Sequence, residues 1–228
     1  MHEELSAAPL LAWDQALLAP IFEINERMLE RLHEIARASL PPASGTHGSE
    51  GAQRPADAPA LILQLHREWC ALDAAAQRRL AQCPYLLLDA GFAEPARWEA
   101  AGTLAVHEAA PPGAGGGHCY ADPAWLALVR RTLLLGWHLA RAHPLAARVL
   151  LGMCPASAAA IAASRLRDLE ALAEQRAAAA LPRWEQQPQV WRQLLRASHA
   201  PPPELLCTQL RGLQLLAAGP LPGQGLHA

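Results

Sequence analysis

At 228 residues the chain can bury a substantial core, and its net charge of −2 with a pI near 6.5 provides no global electrostatic attraction to nucleic acid. Alanine and leucine dominate, aromatic residues make up 5%, and alternating runs are nearly absent, which excludes a β-rich class and favours an all-α fold. All 19 basic side chains are arginine, so any DNA contact must come from a local patch of arginines or through a basic partner.

The N-terminus, Met1-His2-Glu3-Glu4, is acidic and leads into no apolar signal core, which argues against secretion. The least charged apolar run, Thr132 to Ala140, lies between Arg131 and Arg141 and falls far short of the roughly 20 residues that span a bilayer. A soluble, cytoplasmic protein without a membrane role is expected. Five cysteines (Cys70, Cys83, Cys119, Cys154, Cys207) form no CxxC pair and read as reduced thiols.

Residues 1–40 form the N-terminal amphipathic region, with helices expected at 9–19 and 21–37 on either side of Pro20. In the second, Ile21, Ile24, Met28, Leu32 and Ile35 recur every three or four positions, while Glu23, Arg27, Glu30, Arg31 and Glu34 fill the other face. Residues 41–59 carry no apolar face and read as a flexible linker.

Helix returns in the segment 60–106. Leu61, Leu65, Trp69 and Leu72 share a stripe, and Asp73 is a candidate N-cap for the run from Ala74 to Ala81. The stretch Cys83 to Phe92 suits either a short buried helix or a strand; helix is expected because no second strand offers itself for pairing. His66, Glu68 and Asp89 can be drawn together as an acid/base set, but nothing in their spacing requires it.

Residues 107–121 form a Gly/Pro-rich loop. It lacks the preceding strand, following helix and Gly-Lys-Ser/Thr ending of a phosphate cradle, and His118-Cys119 has no second ligand pair for a metal. No catalytic residue, metal or cofactor is expected, and the chain does not read as an enzyme.

The central helical domain spans 122–199. Asp122 and Pro123 open a helix that runs through Trp125, Leu128, Val129, Leu133, Trp137 and Leu139 until Pro144 interrupts it. Three leucines in succession, Leu133 to Leu135, place it at the centre of the fold or in a subunit interface. A Gly-Met-Cys-Pro turn and a helix from Ala156 to Ser164 come after it, an order compatible with a helix-turn-helix. That helix offers base edges only two serines, and Arg141, Arg148, Arg165 and Arg167 form a candidate DNA-phosphate patch. Pro188 starts a further helix with Trp191, Leu194 and Leu195 inward, and Trp184 and Trp191 are expected to clamp it onto the central bundle. Leu134, Trp137, Leu151, Trp184 and Trp191 are the candidate partner or oligomer interface. Residues 200–228 comprise a last helix, Glu204 to Ala217, and a tail expected to be disordered from Gly219.

Within roughly residues 126–184, one stretch carries a family resemblance. Leu133 to Ala140, Ala147 to Met153, Ala158 to Ala163 and Leu166 to Glu174 keep the order of a Leu-rich helix, an Ala-x-x-x-Leu-Gly-aliphatic turn, an Ala-rich helix and a Leu-x-x-Leu-x-x-Leu-Ala-Glu helix. In this the chain resembles the central part of FlhD, the flagellar transcriptional-activator subunit, and Ile21 to Leu32 is similar, less specifically, to that family's N-terminal region. The resemblance implies an oligomeric, helical, DNA-associated regulator acting with a second subunit, FlhC. The zinc-binding cysteine cluster of FlhC is missing, so the chain does not read as a fusion of the two. The expected function is regulation through helix-helix binding to copies of itself or to a second subunit, with at most weak DNA contact of its own through a complex. The alternative is a structural adaptor of a motility or secretion system with no DNA role.

Overall fold

The computed structural model describes residues 15–39, 58–99 and 122–218. The expectations for residues 9–14, the linker at 41–57, the Gly/Pro loop at 107–121 and the tail from Gly219 lie outside them. Among the described residues the fold is all-α, with eleven α-helices.

Helix α1, Gln15–Ala38, is one continuous helix that contains Pro20 rather than two helices flanking it. The proline lies near the start of the described helix, and from Ile21 onward the whole predicted stripe is buried. Two short helices follow, α2 (Ala60–Gln64) and α3 (His66–Ala71), separated at Leu65 where the sequence predicts a single helix. Helix α4 (Ala74–Ala81) is capped as predicted: the Asp73 carboxylate accepts the Ala76 amide at 2.7 Å.

The expectation of a helix over Cys83 to Phe92 is overturned. This stretch is a buried, non-helical ribbon with bends at Pro84, Tyr85 and Leu87, and its Leu88–Asp89 segment (β1) pairs antiparallel with Leu181–Pro182 (β2). The partner strand exists, but far along the chain and only two residues long. All residues from Cys83 to Leu88 are buried, so their backbone groups need partners from the surrounding elements. The Leu86 amide donates to the Leu150 carbonyl at 2.9 Å, and the Arg183 amide to the Leu87 carbonyl at 2.7 Å.

Beyond a one-turn helix α5 (Ala96–Glu99), Asp122 caps α6 (Pro123–Ala142), accepting from the Trp125 amide at 2.8 Å. Helix α7 (Pro144–Leu151) ends at Gly152, whose φ of 67° is the left-handed cap that glycine adopts without penalty. Helices α8 (Pro155–Ala163) and α9 (Leu166–Arg176) come next, then a 3-10 turn at Ala177–Ala179 and strand β2. The described chain closes with α10 (Pro188–Ala197) and α11 (Pro202–Ala218).

Helix α6 is the hub, packing on α1, α7, α8 and α9. Arg31 of α1 pairs with Asp122, and Arg131 of α6 with Glu23, so the two helices run antiparallel. A single hydrophobic cluster joins α1 to α4, the ribbon, α6 to α9 and α10. No helix among the described residues is long and apolar enough to cross a membrane.

Helix α11 lies over the ribbon through a narrow stripe of Leu205, Gln209 and Gly212. A Cβ on Gly212 would stand 2.0 Å from the hydroxyl oxygen of buried Tyr85 and 2.4 Å from its Cζ. Substitution Gly212→Ala is therefore expected to lift α11 and destabilise the protein by about 1–3 kcal/mol, as overpacking does. Urea unfolding checks the loss. Limited proteolysis within residues 202–218 checks that it begins at α11.

Candidate functional site

Two buried polar side chains hold the scaffold on which the outer surface is built. Asn25, inside α1, donates through Nδ2 to the carbonyls of Ala81 (3.3 Å), Cys83 (3.3 Å) and Tyr85 (2.9 Å) and accepts the Leu87 amide at 2.8 Å. One amide thereby fixes the ribbon against α1. Arg183, 5% exposed, donates through Nε to the Leu86 carbonyl (2.7 Å) and through Nη2 to those of Leu151 (2.9 Å) and Leu88 (3.3 Å). Burial pulls its guanidinium below the ordinary value, with Asp89 and Tyr85 opposing. The charge ties the ribbon to the C-terminal end of α7. Neither role is visible in a periodicity, because the partners are backbone carbonyls remote in sequence.

The candidate surface lies on the helices that surround this frame. Trp137 is its organiser: its indole N–H donates to the Ser164 carbonyl at 2.9 Å, and the Arg141 guanidinium sits over its ring, 4.7 Å from the centroid. Arg165 directly follows Ser164 in the chain and is exposed. Arg148 is exposed on the neighbouring α7, and Arg167 is paired with adjacent Asp168 at 3.6 Å. All four arginines of the predicted patch are exposed. The same helices also expose large aliphatic side chains: Leu145 is 64% exposed, Leu166 53%, Leu134 41% and Val149 37%. Along the outer face of α6, Arg130, Leu134, His138 and Arg141 succeed one another at helical spacing, and Leu145 follows beyond Pro144.

The α7–turn–α8–α9 segment has the order expected of a helix-turn-helix, but the serines of α8 face inward or are engaged. Ser157 is buried and its amide donates to the Cys154 sulfur at 3.3 Å; the Ser164 hydroxyl donates to the Ala160 carbonyl at 3.0 Å. The exposed face of α8 is Pro155, Ala156, Ala159 and Ala163, which presents no side-chain donor or acceptor.

Of the five candidate interface residues, Leu134 is exposed and Trp137 and Trp184 are half-buried. Leu151 and Trp191 are corrected to core positions, since both are fully buried within the chain. Trp191 packs on Trp69 with centroids 5.4 Å apart, and its indole N–H donates to the Arg183 carbonyl at 2.6 Å. It therefore clamps α10 to α3 rather than to the central helices. Trp184, at φ 55°, sets its ring edge-on to Tyr85 at 5.7 Å.

His66, Glu68 and Asp89 are not brought together. Glu68 faces Arg192 and Arg196 at 3.3 and 3.6 Å, Asp89 accepts the Gly91 amide at 2.8 Å, and His66 lies 3.0 Å from the Ala36 carbonyl. The neighbour that the acid/base reading misses is Cys70, 3.5 Å from His66 Nε2. The His-x-x-x-Cys spacing, one helical turn, is the signal that points to it. Among the described residues no group of three or more His, Cys, Asp or Glu side chains is placed to hold a metal ion. Comparison with family models, with curated proteins and with solved structures finds no match to this chain.

Proposed function

We propose that the protein is an oligomeric regulatory subunit that works by helix-helix binding through the edge formed by α6, α7 and α9, with DNA contact only as part of a complex. The observation that carries this reading is that α6, α7 and α9, with the connectors beside them, expose Leu134, Leu145, Val149 and Leu166 together with Arg141, Arg148 and Arg165. Aliphatic side chains supply area to remove from water, and arginine is the charged residue favoured at protein interfaces. The FlhD resemblance covers the same helices and supports a role in transcriptional control beside a second subunit. One observation favours a second reading, an adaptor of a motility or secretion system: the exposed face of α8 carries only proline and alanine, which suits packing rather than base contact.

The test is a paired substitution, Leu145→Glu with Leu166→Glu, in the full chain. Light scattering and capture from host lysate, with and without nuclease, are expected to show association weakened about thirtyfold or more, equivalent to about 2 kcal/mol at an interface anchor. Unchanged association at unchanged melting temperature would refute this edge as the contact. For any complex that retains DNA, converting the four arginines of the patch to alanine is expected to lower the salt slope by about 0.9 for each phosphate that is no longer neutralised. A slope that does not move assigns the DNA contact to the partner.

A further inference from the structure

We infer that the outward face of α11 is a self-pairing surface, on which two copies of this chain join their α11 helices antiparallel. Helix α11 buries Leu205, Gln209 and Gly212 against its own chain and rests Leu216 beside Gly152. Next to that buried line the helix carries a second apolar line, Pro203, Leu206, Leu210, Leu213 and Ala217, at spacings of three, four, three and four. Leu206 is 44% exposed and Leu210 42%; Pro203 and Ala217 are exposed, and Leu213 is half-buried where the line meets the core. An alternation of three and four is the seam of a coiled coil, which asks for another helix rather than an extended peptide or a small molecule. Because α11 is already held as a helix by its own chain, no cost of forming it opposes the pairing.

The charges beside the seam identify the occupant as a second α11 and fix its direction and register. Glu204 and Arg211 are exposed on one side of the seam, two helical turns apart, too far to pair within the helix. In an antiparallel partner their order is reversed. With Leu206 packed on the partner's Leu210, Pro203 falls level with the partner's Leu213, and Glu204 of each copy comes level with the partner's Arg211 on the same flank. Sliding the helices by one heptad keeps the apolar layers but sets the two Arg211 side chains against each other. A parallel pair in register offers neither charge an opposite partner at its level. In the favoured register the two-fold axis passes at the level of Thr208, so exposed Cys207 lies one residue from it on the open flank.

This pairing goes beyond the edge of α6, α7 and α9 and does not rest on it. The two surfaces lie on different helices, so one copy can use both.

The experiment treats the full, reduced chain with a short bis-maleimide, which joins neighbouring thiols, through a dilution series and reads the joined peptides by mass. A Cys207–Cys207 product is expected at a yield on the order of tenfold above Cys70–Cys70, because Cys70, exposed on α3, reports only random collision. Leu206→Glu with Leu210→Glu, both at exposed positions, is expected to raise the apparent dissociation constant about thirtyfold or more at unchanged melting temperature. Glu204→Arg and Arg211→Glu are each expected to weaken the pairing about two- to fivefold, and the two together to restore it. Leu145→Glu with Leu166→Glu, which tests the other edge, is expected to leave the Cys207 product intact, so the two surfaces stand or fall separately. A Cys207–Cys207 yield no higher than that of Cys70–Cys70 in the unaltered chain overturns self-pairing whatever the variants do, and leaves the face to a helix of another protein. A product that survives Leu206→Glu with Leu210→Glu overturns the seam. A charge exchange that fails to restore the pairing overturns the antiparallel register.

Discussion

Replacing Asn25 by leucine is expected to destabilise the protein by about 3–5 kcal/mol, a large part of the roughly 5–15 kcal/mol that holds a typical domain folded. Leucine has the same number of side-chain heavy atoms branched at the same carbon and suits the apolar stripe on either side, so a reading from amphipathicity alone predicts a neutral or stabilising change. The hydrogen bonds decide otherwise. Three carbonyls, of Ala81, Cys83 and Tyr85, lose their Asn25 donor, and the Leu87 amide loses its acceptor, all inside the core. Each buried group left without a partner costs about 1–3 kcal/mol, which outweighs the gain from one more buried leucine. Urea unfolding followed by tryptophan fluorescence reads the loss. A comparison substitution at exposed Glu30 of the same helix is expected to stay within about 0.5 kcal/mol. If Asn25→Leu unfolds at the same urea concentration as the parent, the amide is not what anchors the ribbon.

Removing Arg183 is expected to have a comparable effect, with a signature that separates charge from volume. Arg183→Ala takes the donors from the carbonyls of Leu86, Leu88 and Leu151 and also opens a cavity beside Gly152, so a loss of about 4 kcal/mol is expected. Arg183→Met fills most of that space and also relieves the burial of a cation whose described hydrogen bonds go to neutral carbonyls. It is expected to recover about 1–2 kcal/mol of the loss but not all of it, because the carbonyls are still without that donor. Equal stability of the methionine variant and the parent would show that the guanidinium is dispensable and that only its volume matters. Since Arg183 holds the ribbon to the end of α7, amide exchange in Leu86 to Leu88 and at the α7 C-terminus is expected to accelerate in both variants.

Both predictions concern the ribbon, which is where sequence reading and structure diverge. The buried stripe from Ile21 to Ile35, the Asp73 and Asp122 caps, the Pro123 and Pro188 helix starts and the break at Pro144 are legible because each is a local device within a few residues. The ribbon is not legible as a strand. Its partner, Leu181–Pro182, lies far further along the chain and is itself too short to announce a strand. The candidate surface is legible in composition but not in membership. A helical stripe tells which face is buried, not what covers it, so Leu151 and Trp191 look available to a partner until Arg183, Trp69 and the rest of the core are seen to take them. Charge alone groups Arg141 with Arg165; the structure shows that Arg141 stacks on Trp137, whose indole N–H ties α6 to the Ser164 carbonyl just before Arg165.

By itself, then, the sequence determined the helical class, the positions of most helix starts and the inward face of α1, because helix propensity, capping and 3.6-residue periodicity act over one or two turns. Only the tertiary structure decided which apolar side chains stay exposed on α6, α7 and α9, and how Asn25 and Arg183 lock a non-helical ribbon into a helical core. Those outcomes depend on unions between segments distant in the chain. The hydrogen-bonding needs of a buried backbone and the competition of side chains for one core are settled only when all the segments are present together.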